Sequence, residues 1–392
     1  MQRYCLKLNI VYLKTYLLNF AAKKNIYLLK KILIVVGTRP NFIKVTRFKK
    51  VIANHPELDV KFVHTGQHFD EKMSQVFFDQ FDLRPDFMLN IGQGSPNSQM
   101  ANVMLGVEKV CLEYLPDLLI VVGDVNSTFA AALTGNKMGI KVAHLESGLR
   151  SFDREMPEEI NRLLTDEISD YYFVTEQSGL DHLKAEGKDH GNVFFVGNTM
   201  IDSLVEFDEE VNKSQVMQTM GLAKGHFVLM TMHRPSNVDT KAGLEVLIEM
   251  IKNICKNTKL VFPIHPRTVN RLKQFELWES IANLEGLIFS EPMDYFAFQN
   301  LTANCKFVVT DSGGIQEETT YRQVPCLTLR NNTERPSTVD LGSNVLVEYT
   351  MEALQKRIDE INAGTYKKGQ IPPLWDGKST DRIVEAIKGI LV

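Results

Sequence analysis

The chain has 392 residues, 44% of them hydrophobic and 23% charged, with a formal net charge of −4. That length suits two domains, the balance suits an ordinary globular protein, and the small negative charge supplies no basic field for nucleic acid or an anionic membrane. Cys5, Cys111, Cys255, Cys305 and Cys326 are scattered with no CxxC pair, which argues for a reducing cytoplasm rather than a disulfide framework or a zinc site.

Residues 1–30 contain no acidic residue but several lysines and aromatics. Lys14, Lys23 and Lys24 interrupt the apolar run, and no small-residue cleavage site follows, so a signal peptide fits poorly. No stretch has the uninterrupted length of a membrane span. The segment reads as an extension that adds little to the fold, with a weak amphipathic membrane contact as the alternative.

From residue 31 short apolar runs alternate with helical patterns. "KILIVVG" (31–37) is continuous, β-branched and ended by glycine, the signature of a buried parallel strand. "FIKVTRFKKVI" then places Phe42, Val45, Phe48, Val51 and Ile52 at helical spacing. Strands "VKFVHTG", "DLLIVVGD", "KVAHLES", "YYFVTE" and "NVFFVGN" follow, with helices "EKMSQVFFDQF", "STFAAALTGNKMG", "PEEINRLLTDEIS" and "GLDHLKAEG" between them. The second half repeats the plan with strands "FVLMTMH", "KLVFPIHP", "GLIFS", "KFVVTDSGG" and "PCLTLR", and two helical patterns close the chain. The alternation predicts an α/β protein of two Rossmann-like, doubly wound domains. In such sheets ligands sit outside the carboxyl ends of the strands, so polar residues there are the candidates.

The first strand ends in "GTRPNFIK", where Thr38, Arg39 and Lys44 flank a helix start suited to an anion. It is neither GxGxxG nor a Walker motif, and a capped helix with solvated basic residues is the plain alternative. Asp124 follows Gly123 at another strand end, where an N-cap would also explain it. Glu146 ends the next strand, and Glu is a poor N-cap. Glu158 and Glu159 follow Pro157 in a helix's first turn, an ordinary start. They point about 100° apart, so at most one enters a cleft. In the second half His233 with Arg234, and His265 with Arg267, stand at strand ends without metal-ligand spacing. "VVTDSGGIQEE" is the sharpest motif: Ser312, Gly313 and Gly314 form a turn whose amides can approach a phosphate. Glu317 or Glu318, in the next turn, can hold a ribose diol. A nucleoside diphosphate on the second domain, with another moiety facing carboxylates of the first, describes a nucleotide sugar.

"GTRPNFIK", "GD" at 123–124, "HLESGLR", "MPEEINR", "GNTMID", "IHPRT", "TDSGGIQEE" and "NNTERP" resemble, in order, the motifs of the non-hydrolysing UDP-N-acetylglucosamine 2-epimerases. The resemblance runs from about residue 31 to the C-terminus. It implies a GT-B fold with the active site between the domains and a last helix packed back on the first: residues 31–198 with 376–392 form one domain, 199–375 the UDP-binding one, and 1–30 an extension. It implies a cytoplasmic homodimer acting on a UDP-sugar, with no organic cofactor and no metal. Asp124, Glu146 and Glu158 match the family's catalytic carboxylates, with Glu158 turned inward and Glu159 away. His233 matches the histidine near the leaving diphosphate. Arg39, Lys44, His265, Arg267, Ser312, Gly313, Gly314, Glu318 and Arg335 match substrate-binding positions. Three departures stand out: Asn41 where many members have Glu, "HRPS" for "HRRE", and "QHFDEKM" for the allosteric "QHREM". Gln67 and His68 of the possible allosteric site persist without its arginine, which leaves room for a related substrate.

The family's chemistry removes the weakly acidic C2 hydrogen, expels UDP from C1 to leave a glycal, and adds UDP back. It needs proton-transfer groups serving both faces of C2 and positive charge on the departing diphosphate.

Overall fold

The computed structural model describes residues 29–66, 78–92 and 94–391. The expectations for Gln67, His68 and nearly all of the N-terminal extension lie outside these residues. The first half forms seven strands: β1 (Lys30–Val36), β2 (Leu58–His64), β3 (Phe87–Met88), β4 (Leu118–Val122), β5 (Lys141–Leu145), β6 (Tyr171–Val174) and β7 (Val193–Phe195). The second forms six: β8 (Phe227–Thr231), β9 (Lys259–Pro263), β10 (Leu287–Ser290), β11 (Phe307–Thr310), β12 (Cys326–Thr328) and β13 (Asn344–Leu346). The sheet orders are β3-β2-β1-β4-β5-β6-β7 and β10-β9-β8-β11-β12-β13. Their pairings are parallel in both. Strand order reverses at β1/β4 in one sheet and at β8/β11 in the other, so each sheet has one switch point at which ligands collect.

β1 shows why the runs read as continuous. Ile32, Ile34 and Val36 pack with Phe42, Phe48, Ile383 and Ile387 on one face, and Leu33 and Val35 with Val103, Val107 and Ala131 on the other. A strand covered on both faces has no polar alternation.

Elements additional to the sequence expectation include β3, β13 and the helix Pro96–Tyr114. The expected helix at 42–52 is instead two short helices, Arg39–Ile43 and Phe48–Ile52. Between them the chain turns so that Lys44 and Thr46 are buried and Thr46 Oγ1 bonds Ser203 Oγ at 2.7 Å.

The last helix, Ser379–Leu391, joins the core of the first sheet. Asp202 caps it from outside, accepting from Ser379 N at 3.0 Å and Thr380 N at 2.6 Å. Trp375, fully buried, donates to Thr175 O at 3.1 Å. Met200, Ile201 and Leu204 of the Thr199–Glu206 helix belong to the same core, so that core continues past residue 198.

Candidate active site

The carboxyl ends of the two sheets face one another. From the first come Gly37–Lys44 after β1, Gly123 and Asp124 after β4, Glu146 after β5 and Glu176 after β6; from the second come His233 after β8, Asp311–Gly314 after β11 and Arg330 after β12. A cavity of about 600 Å³ opens between them, lined by Arg39, Gln80, Pro292, Phe298, Ser312, Gly314 and Glu318 among others. Burial pushes the Glu318 carboxyl up to about 7, with Gln299 and Arg322 pulling it the other way.

Glu146 is the strained residue of the group: its φ is +72°, left-handed for a side chain with a Cβ. Such a conformation costs about 1–3 kcal/mol and persists where the surroundings enforce it. Here the surroundings are ionic. Lys44 Nζ donates to Glu146 Oε2 at 2.6 Å with both side chains buried, and Arg335 Nη2 of the second half stands 3.7 Å from the same oxygen. Glu146 Oε1 is buried with no hydrogen-bond partner, an acceptor available to a ligand.

Asp124 is held by Arg162, whose Nε and Nη2 reach Oδ2 at 3.0 and 2.8 Å. Burial raises the Asp124 carboxyl, but the charges of Arg162, Lys44 and Arg335 outweigh it and hold the group below its usual range. These charges favour the ionised form of Asp124. Gly123, at φ +69°, has Asn41 Nδ2 2.6 Å from where a Cβ would sit. Asn41 in turn donates to Val122 O at 3.1 Å, so it ties the loop after β1 to the end of β4.

The adjacent glutamates divide differently from the expected inward Glu158 and outward Glu159. Glu159 is the buried one: it accepts from Ser151 N, Ser151 Oγ and Phe152 N at 2.9 Å and pairs with Arg162. Its carboxylate is consumed in shaping the loop before its own helix. Glu158 is half-buried and acts electrostatically on Arg234, from the opposite half.

His233 Nδ1 lies 2.9 Å from Asp311 Oδ1, and Asp311 also accepts the backbone N–H groups of His233 and Arg234. Burial raises the Asp311 carboxyl, but the His233 contact and these amides bring it below its usual range. Held this way, Nδ1 carries the proton and Nε2 is left for a ligand. Ser312 and Gly314 line the cavity, whereas a Cβ on Gly313 would strike Glu334 Oε1 at 2.6 Å. Arg335 is ringed by carboxylates: Nε stands 2.7 Å from Glu317 Oε2, and Nη1 pairs with Glu334. Glu317 also accepts from Asn198 at 2.7 Å. Through Glu146, 3.7 Å from its Nη2, Arg335 is thus a link between the halves.

Two candidates stand apart. Arg267 gives its fork to Asp239, at 2.9 and 2.7 Å, and is not among the residues that line the cavity. His265 caps its own helix, Nδ1 accepting from Arg267 N at 3.1 Å, and reaches the site only through its ring, 5.7 Å from that of His233. Conversely, sequence reasoning passed over Arg162, Glu176, Arg330, Glu334 and the buried His144–Asp166 pair. His144 Nε2 donates to Gly123 O at 2.8 Å, and Nδ1 meets Asp166 Oδ1 at 2.6 Å, which props the Asp124 turn from below. The strand-end rule, applied to β6 and β12, reaches Glu176 and Arg330.

Two facing Rossmann-like sheets with polar groups gathered at their carboxyl ends define the class, a GT-B fold. The chain belongs to the UDP-N-acetylglucosamine 2-epimerase family, whose model matches residues 50–388. It is 41% identical over 367 residues to the UDP-N-acetylglucosamine 2-epimerase homolog of Methanococcus maripaludis, covering 92% of this chain and 100% of that protein. It is 38% identical over 322 residues to the UDP-2,3-diacetamido-2,3-dideoxy-D-glucuronate 2-epimerase of Pseudomonas aeruginosa, covering 81% and 88% of the two chains. Among solved structures, Methanocaldococcus jannaschii UDP-GlcNAc 2-epimerase in complex with UDP-GlcNAc and UDP matches with a TM-score of 0.84 and 39% identity, over 92% of this chain and 99% of that one.

Proposed function

We propose that this protein reversibly inverts C2 of UDP-N-acetylglucosamine to give UDP-N-acetylmannosamine, by eliminating UDP to a glycal and adding it back. The observation that carries the reading is the buried Glu146, braced by Lys44 and carrying an unpartnered oxygen, in one cleft with the ionised Asp124 and with a glycine turn from the other half. One carboxylate removes the C2 proton and another returns one to the opposite face. Asp124, Glu146 and Glu158 are the proposed proton-transfer set, His233 the group at the leaving diphosphate. Arg39, Lys44, Ser312, Gly313, Gly314, Glu318 and Arg335 are proposed to bind the nucleotide sugar. The product would serve a surface polysaccharide, made in the cytoplasm by a homodimer. Leu105 and Leu112, 66% and 64% exposed and two helical turns apart, support a self-associating face. Among the described residues no helix is long and apolar enough to cross a membrane.

A second reading is that the substrate is a modified UDP-N-acetylhexosamine. The named substrate of the Pseudomonas relative favours it, as does Asn41 at a position where many members carry Glu.

Proton NMR of the chain with a panel of UDP-sugars tests both. UDP-N-acetylmannosamine as the sole new sugar supports the first reading. Free N-acetylmannosamine plus UDP would mean a hydrolysing enzyme, UDP release only with an acceptor a glycosyltransferase, and binding without turnover a regulator.

A further inference from the structure

Arg330, two residues past β12, has a buried side chain. Its Nη2 donates to Glu334 Oε2 at 2.8 Å and reaches Asn332 Oδ1 at 3.4 Å. Its Nε and Nη1 are buried with no hydrogen-bond partner. Leaving two donors of a permanent cation dry and unpaired is expensive, and folded chains keep such groups where a ligand completes them.

The direction of these donors is informative. Nη1 lies 3.8 Å from where a Cβ on Gly313 would sit, so it abuts the glycine turn after β11. Arg234, after β8, is tied to the start of the same turn: its N–H donates to Asp311 Oδ2 at 2.8 Å, and its Nη1 crosses the cleft to 3.9 Å from Met156 Sδ. Burial first, and then the charge of Arg330, push the Arg234 guanidinium below its usual range, against Glu334, Asp311 and Glu158. Two arginines thus stand by one glycine turn, and Arg330 keeps fork donors left over, an arrangement completed by a tetrahedral anion.

We propose that Arg330, together with Arg234, seats the terminal phosphate of the nucleoside diphosphate, the phosphate that leaves the sugar carbon. This rests on the reading of the cleft as a nucleotide-sugar site. The cavity with Arg39, Phe298 and Glu318 takes in Ser312 and Gly314 of the turn, while neither Arg330 nor Arg234 is among its lining residues and Arg330 Nη1 meets the turn at Gly313. A diphosphate spanning the turn puts its distal phosphate by the two arginines. As the C1–O bond breaks, both electrons pass to that phosphate's oxygen while the C2 proton passes to a carboxylate. The Arg330 N–H groups meet the charge where it appears, already oriented.

Arg330→Lys keeps the charge and the pairing with Glu334 but deletes the fork. Titration calorimetry with UDP, UMP and uridine reads the result. UDP should bind roughly tenfold or more weakly, the worth of a charge-assisted hydrogen bond, while UMP and uridine are unchanged. UDP binding left intact, or UMP weakened as much as UDP, overturns the proposal. Should Arg330→Lys melt below the assay temperature, Arg234→Lys must show the same UDP-selective loss, and its absence overturns the proposal equally. A wild-type chain that binds UDP yet epimerises no UDP-sugar would refute the epimerase reading and leave this measurement standing.

Discussion

Lys44 and Glu146, 102 residues apart in the chain, meet at 2.6 Å with their side chains 6% and 3% exposed. Neither charge has enough solvent to stand alone, so each depends on the other. The pair fixes the loop after β1 against the end of β5, and it leaves Glu146 Oε1 as the open acceptor.

Lys44→Met should therefore cost roughly 3–5 kcal/mol of stability, the usual penalty for breaking a buried pair from one side. The double variant Lys44→Met/Glu146→Leu should recover most of that loss, because an apolar replacement of a buried pair is close to neutral, yet remain inactive. Denaturant melts with turnover assays decide it. A double variant as unstable as the single one would show that the pair is not the source of the cost.

Arg162→Met should move the acid limb of the kcat/KM profile to higher pH. Asp124 owes its lowered carboxyl first to Arg162, against the opposing effect of burial, with Lys44 and Arg335 adding to it and Glu334 opposing. With Arg162 gone the carboxyl titrates higher, and the ionised form is lost sooner as pH falls. The loss of rate should be largest on the acid side and smallest at neutral pH, where the carboxyl is still ionised. A lower rate with an unmoved limb would assign Arg162 a scaffolding role only.

Glu176 sits buried at the end of β6, where burial pushes its carboxyl up to about 7, with Ser178, Arg335 and the Ser337 amide pulling down and Glu317 pushing further up. An acid raised on folding binds more protons in the folded state. Its contribution is full below the unfolded value near 4.5 and is lost as pH climbs to about 7. Glu176→Gln should remove that part of the slope, on the order of 3 kcal/mol across the window. Denaturation midpoints of both proteins from pH 4.5 to 8 measure it, and identical slopes would contradict the assignment.

The sheets were readable because a parallel strand buried on both faces leaves an unbroken apolar run, as β1 and β4 do. The Pro96–Tyr114 helix was not: its inward residues Val103, Val107, Val110 and Tyr114 keep helical spacing, but exposed Leu105 and Leu112 blur the stripe. β3 and β13 are two and three residues long, too short for periodicity. At the site, Asp124, Glu146 and His233 could be picked out because strand ends and family motifs coincide there. Glu158 and Glu159 could not be separated by angle alone, since which face is inward depends on the Ser151–Phe152 loop that Glu159 itself organises. Arg267 looked like Arg335 in sequence, and only the position of Asp239 shows that its fork is already taken.

Proton exchange at C2 is the most direct test of the carboxylate chemistry. UDP-N-acetylglucosamine incubated with the enzyme in deuterium oxide should give UDP-N-acetylmannosamine carrying deuterium at C2, and Glu146→Gln should bind UDP while forming little of it. Epimerised product that retains protium at C2 throughout would contradict removal and return of that proton by these side chains.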